Sequence, residues 1–581
     1  MNEDNVARRP GRAREPRQCL RPSPVGVRAV NVWTSSTGIA MPDLVPISLR
    51  RRWVELGWCP DRDIYAVFSE HVRACPDTPA VIDPAGTLTY TGLDTLVRRI
   101  AAALSESGLG EGDIVGIQVP NGWQAAVAEL AVAAVGATAL PYPAGRGRRD
   151  SLHLLGRSGA TGVITVQTAG TVPLAANLAA LRPALPDLRA VFTFGTAPPG
   201  CLPLEPWLAD AEAGRRWRDA PVDPEAPARI LVSSGSEAEP KMVAYSHNAM
   251  VGGRGNYVLA VHGRPERMRS LVLVALSSAY GSLGTSVTLA RHGGTLLLLD
   301  GFDAARALRM MVEQHPNLVF GVPTMLRRMA ELPRLPGEDP SSAPTLVSSA
   351  APLDRSTIQA CRERFGCPVI NIYGSADGVN CHTVLGDGAV AHAGRPDPAV
   401  AQICVAGPSG EPVPDGEEGE IWALGPMTPL CYVNAPELDR RYRAPGGWVR
   451  TGDLGLIDGE GRLHVVDRMK RIISRGGYKI SPAELEQELC AHPAVAEAAC
   501  VAVPDDELGE RLCACLVTRP GAPAVTLGEL STFLENECGL ERRKLPELLL
   551  TLPELPRSPS GKVCAQTLAR LAGVHSASSA P

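Results

Sequence analysis

The 581-residue chain predicts an α/β fold: a large N-terminal domain of mostly parallel sheets flanked by helices, then a small α+β C-terminal domain. Three observations carry this. From about residue 60, short and continuously apolar β-rich runs alternate with helical patterns, which suits strands buried on both faces. Near residue 470 the texture changes, and a unit of about 100 residues follows, an ordinary domain size. Hydrophobic residues are 45% and charged residues 20%, a globular composition.

Residues 1–45 read as a disordered leader, because Arg8, Arg9, Arg12, Arg14, Arg17, Arg21 and Arg28 sit among prolines with little apolar period. The prolines argue against an amphipathic transit helix, and the preferred reading places the true start at Met41. Residues 46–469 form the large domain. Strands are expected over 113–119, 162–166, 230–232, 271–276, 295–299, 317–322, 345–348 and 368–373. Residues 470–575 form the small domain. Ser481-Pro482-Ala483-Glu484 reads as a helix start with a capping box, and Leu485 and Leu489 supply its apolar stripe. Strands are expected over 495–503, 511–517 and 548–552, and Thr526-Leu527-Gly528-Glu529 reads as a second capping box before Leu530, Phe533 and Leu534. Residues 576–581 read as a disordered tail.

The net charge of −5 gives no electrostatic footprint for nucleic acid. The best apolar run, 130–140, is too short for a bilayer, which takes about 20 residues. The 15 cysteines include no CxxC pair, which argues against zinc or a disulfide framework and fits a reducing cytoplasm.

Five segments carry chemistry. Ser233 to Lys241, after an apolar strand, is a Ser/Gly-rich turn with hydroxyls, bare backbone N–H groups and a cation, which is what a polyphosphate requires. It lacks the GK[ST] of a Walker loop, and alone it also reads as a surface turn. Asn371-Ile372-Tyr373-Gly374-Ser375-Ala376-Asp377 puts a carboxylate beyond the carboxyl end of a strand, where α/β folds place ligands. Trp448 to Leu454 contains Arg450-Thr451-Gly452-Asp453. Val466 to Ile480 contains Asp467-Arg468-Met469-Lys470 and Gly476-Gly477. Pro556-Arg557-Ser558-Pro559-Ser560-Gly561-Lys562 lies near the C-terminus. Each alone also reads as a turn, a charged linker or a solvated lysine.

In this order the set resembles the adenylate-forming superfamily: acyl- and aryl-CoA synthetases, beetle luciferases and adenylation domains of nonribosomal peptide synthetases. The resemblance covers about residues 60–575 and includes Leu88-Thr89-Tyr90, Val322-Pro323-Thr324 and Gly419-Glu420-Ile421. It implies a mobile C-terminal domain and activation of a carboxylic acid by ATP and Mg²⁺ as an acyl-adenylate. The acyl group then passes to coenzyme A or to the phosphopantetheine of an acyl carrier protein. Ser234, Gly235, Ser236 and Lys241 would hold the β- and γ-phosphates, and Tyr373 would lie near adenine. Asp377 would stand where the family places the glutamate that reaches Mg²⁺. Asp453 would accept the ribose hydroxyls, with Arg468 supporting the same sugar. Lys562 would bridge the substrate carboxylate and the α-phosphate, acting with Asp377 and Lys241 in catalysis. Lys470 would be the hinge, Gly476 and Gly477 would line the thiol tunnel, and Ser277, Ser278, Ala350, Ala351 and Ile372 would line the acyl pocket.

The sequence departs from the family pattern at Glu237, Ala238 and Met242 in the phosphate loop, at Ala376 in place of a threonine, and at Ser278 in place of a gating His or aromatic residue. The aspartate that pairs with a substrate ammonium is missing around Ser277, which disfavours α-amino acids. The expected activity is therefore ATP-dependent ligation of a non-α-amino acid, aryl or short acyl, to a thiol. A catalytically degenerate adenylate binder and a luciferase-like oxygenase are the alternatives. The segment 50–64, with Trp53 and Trp58, resembles the leader of aryl-acid adenylating enzymes and also reads as a plain helix.

Overall fold

The computed structural model describes residues 31–578 except 234–239, 264–265, 339–343, 352, 354, 368, 385–391, 476–477, 506–507, 539 and 558–562. Two eight-stranded sheets form its body. In the first, Pro227–Val232, Thr138–Pro141, Ile114–Gln118, Gly162–Val166 and Ala190–Phe194 run parallel. In the second, Val369–Gly374, Thr345–Ser349, Leu318–Gly321, Arg269–Val272, Thr295–Leu298 and Pro79–Asp83 do the same. The helices Tyr90–Glu106 and Trp123–Ala134 supply the largest apolar cluster together with residues of both sheets, so the strands read as unbroken apolar runs.

An antiparallel four-stranded sheet follows, in the order Gln402–Ala406, Gly419–Leu424, Val449–Ile457, Leu463–Arg468. The C-terminal unit has the strands Ile473–Arg475, Tyr478–Ile480, Val495–Asp505, Gly509–Thr518 and Leu548–Thr551. Leu485 and Leu489 of the helix Pro482–Ala491 and Leu530 and Leu534 of Leu527–Asn536 pack on one face, and Leu568 and Ala572 of Ala565–Ser578 on the other. The predicted α/β body with a small α+β unit is therefore present.

Three local expectations fail. Within the expected leader, Val32–Thr34 and Ala40–Pro42 form a hairpin, and Met41 is 2% exposed. Trp33, Ile39 and Leu44 pack on the body, and the Asp43 carboxylate takes both Nε and Nη2 of Arg50. The arginine-rich composition upstream masks these contacts. The strand expected over 271–276 ends at Val272, because the Asn121 amide takes over the next backbone groups: its Nδ2 donates to Val274 O and its Oδ1 accepts Leu276 N. Ser481 caps its helix, but Glu484 does not return the bond and instead binds Lys544 Nζ at 2.8 Å. The box at Thr526 and Glu529 does close.

The pair of Arg229 and Glu129 is fully internal, as is that of Arg50 and Asp43. Arg229 on Pro227–Val232 donates to Glu129 of Trp123–Ala134, and its Nη2 donates to Leu276 O at 2.7 Å. The side chains are 2% and 6% exposed, and burial is the main cause that raises the Glu129 carboxyl. Glu129→Ala strands the guanidinium, so an unfolding free-energy loss of about 3–5 kcal/mol is expected from denaturant melts. A loss below about 1 kcal/mol would contradict a structural role for the pair.

Candidate active site

The parallel strand Val369–Gly374 carries Tyr373 as its penultimate residue, and the turn after it carries Asp377. Asp377 N donates to Ser375 Oγ at 3.1 Å, and Ser375 N donates to Val379 O at 3.2 Å, so the turn is held by its own serine. Asp453 and Arg468 come from adjacent antiparallel strands, where they are paired residues in the register. That register brings Arg468 Nε to 3.2 Å from Asp453 Oδ1. Tyr373 donates its hydroxyl to Asp453 Oδ2 at 2.6 Å. Three residues from two separate sheets thus meet at one carboxylate.

Asp453 is 5% exposed. Burial raises its pKa, with Arg468 and the Tyr373 hydroxyl opposing that rise. Burial, then the facing Asp453 charge, raises the Tyr373 phenol in turn. Oδ1 forms an ion pair with Arg468 but has no hydrogen-bond partner among the described residues. A buried carboxylate oxygen in that state is suited to a ligand hydroxyl.

A second cluster lies at the far end of the Asp377 turn. Tyr432 donates to Asp377 Oδ1 at 2.6 Å. Tyr432 pairs with Val243 on Met242–Ser246, the strand that begins directly after Lys241. Lys241 Nζ sits 3.7 Å from the Tyr442 ring centroid and 5.9 Å from that of Tyr432. The base of the phosphate loop is closed, since Ser233 N donates to Lys241 O and Lys241 N to Ser233 Oγ, both at 2.9 Å. Ser234, Gly235, Ser236 and Glu237 lie outside the described residues.

The acyl-pocket candidates also converge. Tyr280 donates to Val347 O at 2.9 Å and so ties the segment holding Ser277 and Ser278 to Thr345–Ser349. Ser349 lies opposite Ile372 in the ladder and donates Oγ to Ile372 O. Ala350 and Ala351 follow at the exposed strand end, and Ala350 has φ 73°, a left-handed conformation rare for a residue with Cβ. Ser278 spends its hydroxyl on its own turn: Oγ donates to Ala275 O and accepts Gly281 N. At the departure from threonine, Ala376 offers its carbonyl to Tyr245 OH at 2.8 Å.

Lys470 lies in the turn between Leu463–Arg468 and Ile473–Arg475. Asp467, just before it, reaches across to the small unit: its Oδ2 accepts Ser481 Oγ at 3.0 Å and Ala483 N at 2.9 Å. Gly476, Gly477 and Lys562 lie outside the described residues. The loop holding Lys562 is closed at its base, where Arg557 bridges Val563 and Cys564 N donates to Pro556 O. Motif reading missed Tyr432, Tyr442 and Tyr245. The visible signal is a tyrosine closing the charged segment 436–442, and Tyr442 is 7% exposed in the fold.

Residues 68–433 match the AMP-binding enzyme family and residues 484–562 the AMP-binding enzyme C-terminal domain. The chain is 31% identical over 542 residues to a salicyl-AMP ligase / salicyl-S-ArCP synthetase of Mycobacterium tuberculosis, covering 89% of this chain and 92% of that protein. It is 29% identical over 547 residues to the 2-hydroxy-7-methoxy-5-methyl-1-naphthoate–CoA ligase of Streptomyces carzinostaticus, covering 91% and 96%. Among solved structures, the amide bond synthetase McbA of Marinactinospora thermotolerans matches with TM-score 0.76 and 27% identity, over 87% of this chain and 99% of that one. The fold is that of an AMP-forming ligase. The chain belongs to the AMP-binding enzyme family, in the adenylate-forming superfamily.

Among the described residues, no helix is long and apolar enough to cross a membrane.

Proposed function

We propose that the chain activates an aryl or short acyl acid, not an α-amino acid, as its adenylate and transfers the acyl group to a thiol of coenzyme A or a carrier-protein phosphopantetheine. The observation that carries this is Asp453, whose buried Oδ1 lacks a hydrogen-bond partner among the described residues and suits a ribose hydroxyl. In the first half-reaction a carboxylate oxygen of the acid bonds to the α-phosphorus of ATP, and the bond to the bridging oxygen breaks, releasing pyrophosphate. Lys241, Ser234, Gly235 and Ser236 hold the phosphates, and Tyr373, Asp453 and Arg468 hold the nucleoside. Lys562 offsets the charge that accumulates between two anions. Mg²⁺, when bound, neutralises the pyrophosphate, and Asp377 fits it, because such sites take one or two carboxylates plus phosphate oxygens. In the second half-reaction the thiol sulfur bonds to the acyl carbon, AMP leaves with the electron pair, and the thiol proton passes to solvent.

Support for an aryl acid comes from the relatives, two of which carry a hydroxy-aryl acid in their names. Pyrophosphate exchange over a panel of carboxylic acids tests the reading. Exchange with aryl or short acyl acids is expected, and exchange highest with a proteinogenic amino acid would overturn it. No exchange with any acid would leave the degenerate binder, and oxygen consumption dependent on the adenylate would favour the oxygenase.

The hinge and tunnel assignments separate the half-reactions. Lys470→Pro fixes φ near about −65° and should freeze the domain rotation, and Gly477→Leu should fill the tunnel. In both, single-turnover adenylation should survive while thioester yield falls at least about tenfold. An equal loss of both half-reactions would remove the division of labour.

A further inference from the structure

Arg254 is a buried cation that the assigned roles do not use. It is the second residue of the helix Gly253–His262 and is 5% exposed. Its place is tightly set: a Cβ on the preceding Gly253 would lie 2.1 Å from Met427 N, so the helix start abuts backbone. Nη1 donates to Ala279 O at 3.0 Å and to Ser282 Oγ at 3.3 Å, both on the segment that carries Ser277 and Ser278. Nη2 makes one long contact of 3.5 Å to Tyr245 OH, and the guanidinium carbon lies 4.9 Å from that ring centroid. Nε is buried with no hydrogen-bond partner among the described residues.

The contrast with Arg50 is informative. There the Nε/Nη2 edge grips Asp43 with two bonds, of 3.0 and 2.9 Å. In Arg254 the same edge has no carboxylate among the described residues, and its contacts are all neutral oxygens. A desolvated guanidinium with an unfilled fork edge is costly unless an anionic or strongly accepting oxygen joins it. Tyr245 links Arg254 to Ala376 O, the residue before Asp377, so the cation stands between the acyl segment and the turn of the reacting centre.

We infer that Arg254 is a specificity-determining residue that binds an oxygen substituent, hydroxyl or carboxylate, next to the reacting carboxyl of the acid. This rests on the acyl-adenylate reading above and adds the substrate class: acids bearing a second oxygen acceptor at the adjacent carbon. It also gives a positive reason against α-amino acids, because a buried cation beside the acyl segment would repel a substrate ammonium.

The test compares benzoate, 2-hydroxybenzoate and benzene-1,2-dicarboxylate in pyrophosphate exchange, with wild type, Arg254→Met and Arg254→Lys, each checked by thermal melting. Wild type should prefer the oxygen-bearing acids over benzoate by about tenfold or more in kcat/KM, the scale of one charge-assisted hydrogen bond. Arg254→Met should collapse that ratio to within about threefold. Arg254→Lys, which keeps the charge and loses the fork, should retain part of it and serves alone if the Met variant does not fold. The thermal shift that 2-hydroxybenzoate gives wild type should vanish in Arg254→Met. Equal wild-type turnover of benzoate and its oxygenated analogues would overturn the inference. So would a variant that loses all three acids in proportion, which would make Arg254 a group for the common carboxyl or the fold. Absence of exchange with every acid in wild type would instead overturn the underlying activity.

Discussion

Lys562→Ala is expected to lower acyl-adenylate formation by about 10²–10³-fold or more, with thermal stability unchanged. Removing one preorganised donor to developing charge typically has that effect, and here two anions must meet before the reaction can begin. Lys562 itself lies outside the described residues. The frame around it is described: Arg557 and Val563 bridge at the loop base, and Leu555, 4% exposed, anchors the approach in the cluster that also holds Leu568. Among the described residues that frame packs through Leu555 and Leu568, so the variant should fold and should still bind ATP through the Asp453 and Lys241 clusters. Single-turnover adenylate formation and ATP affinity, measured side by side, give the check. A variant within about threefold of wild type in adenylation would remove Lys562 from the first half-reaction. Loss of ATP binding and of thermal stability together would mean that it serves the fold.

Residues whose chemistry and strand coincide are the ones that a local motif can single out. Tyr373, Asp453 and Arg468 were read from three separate motifs; the ladder between Val449–Ile457 and Leu463–Arg468 brings Arg468 to Asp453, and the Tyr373 hydroxyl reaches the same carboxylate from another sheet. The parallel strands were legible because burial on both faces leaves no polar alternation to confuse their period. What stayed hidden depends on contacts far apart in the chain. Asn121 ends a strand from 153 residues away, through its amide on Val274, and no local pattern announces that. Tyr432, Tyr442 and Arg254 look like core or surface residues in one dimension. Their meaning comes from the Asp377 carboxylate, the Lys241 ammonium and the acyl segment they meet in three. The hairpin Val32–Thr34 with Ala40–Pro42 was lost to composition, because its strands are only three residues each beside a long basic stretch.

Asp453→Asn should raise the KM for ATP by about 10–100-fold while changing the rate at saturating ATP much less. The swap keeps volume and keeps an oxygen for Tyr373, but replaces the carboxylate Oδ1, which lacks a hydrogen-bond partner among the described residues, with a group that is no longer an anionic acceptor. A hydrogen bond to a charged group contributes about 1.5–3 kcal/mol, and about 1.4 kcal/mol is tenfold in affinity. The specific readout is 2′,3′-dideoxy-ATP. Wild type should discriminate strongly against it, and Asp453→Asn should bind ATP and the dideoxy analogue nearly alike, since the lost partner is the same. Persistent discrimination in the variant would place the ribose elsewhere. The pH dependence follows from the groups around the carboxylate. Burial raises the Asp453 pKa, and Arg468, then the Tyr373 hydroxyl, hold it down. On the proposed role ATP binding uses the ionised form, so affinity should be lost as pH falls through that pKa. Arg468→Ala removes the larger of the two restraining causes and should shift the acid-side loss of ATP affinity to higher pH, whereas Asp453→Asn should abolish that titration. An acid limb that stays in place in Arg468→Ala would show that the 3.2 Å pair does not control Asp453 ionisation.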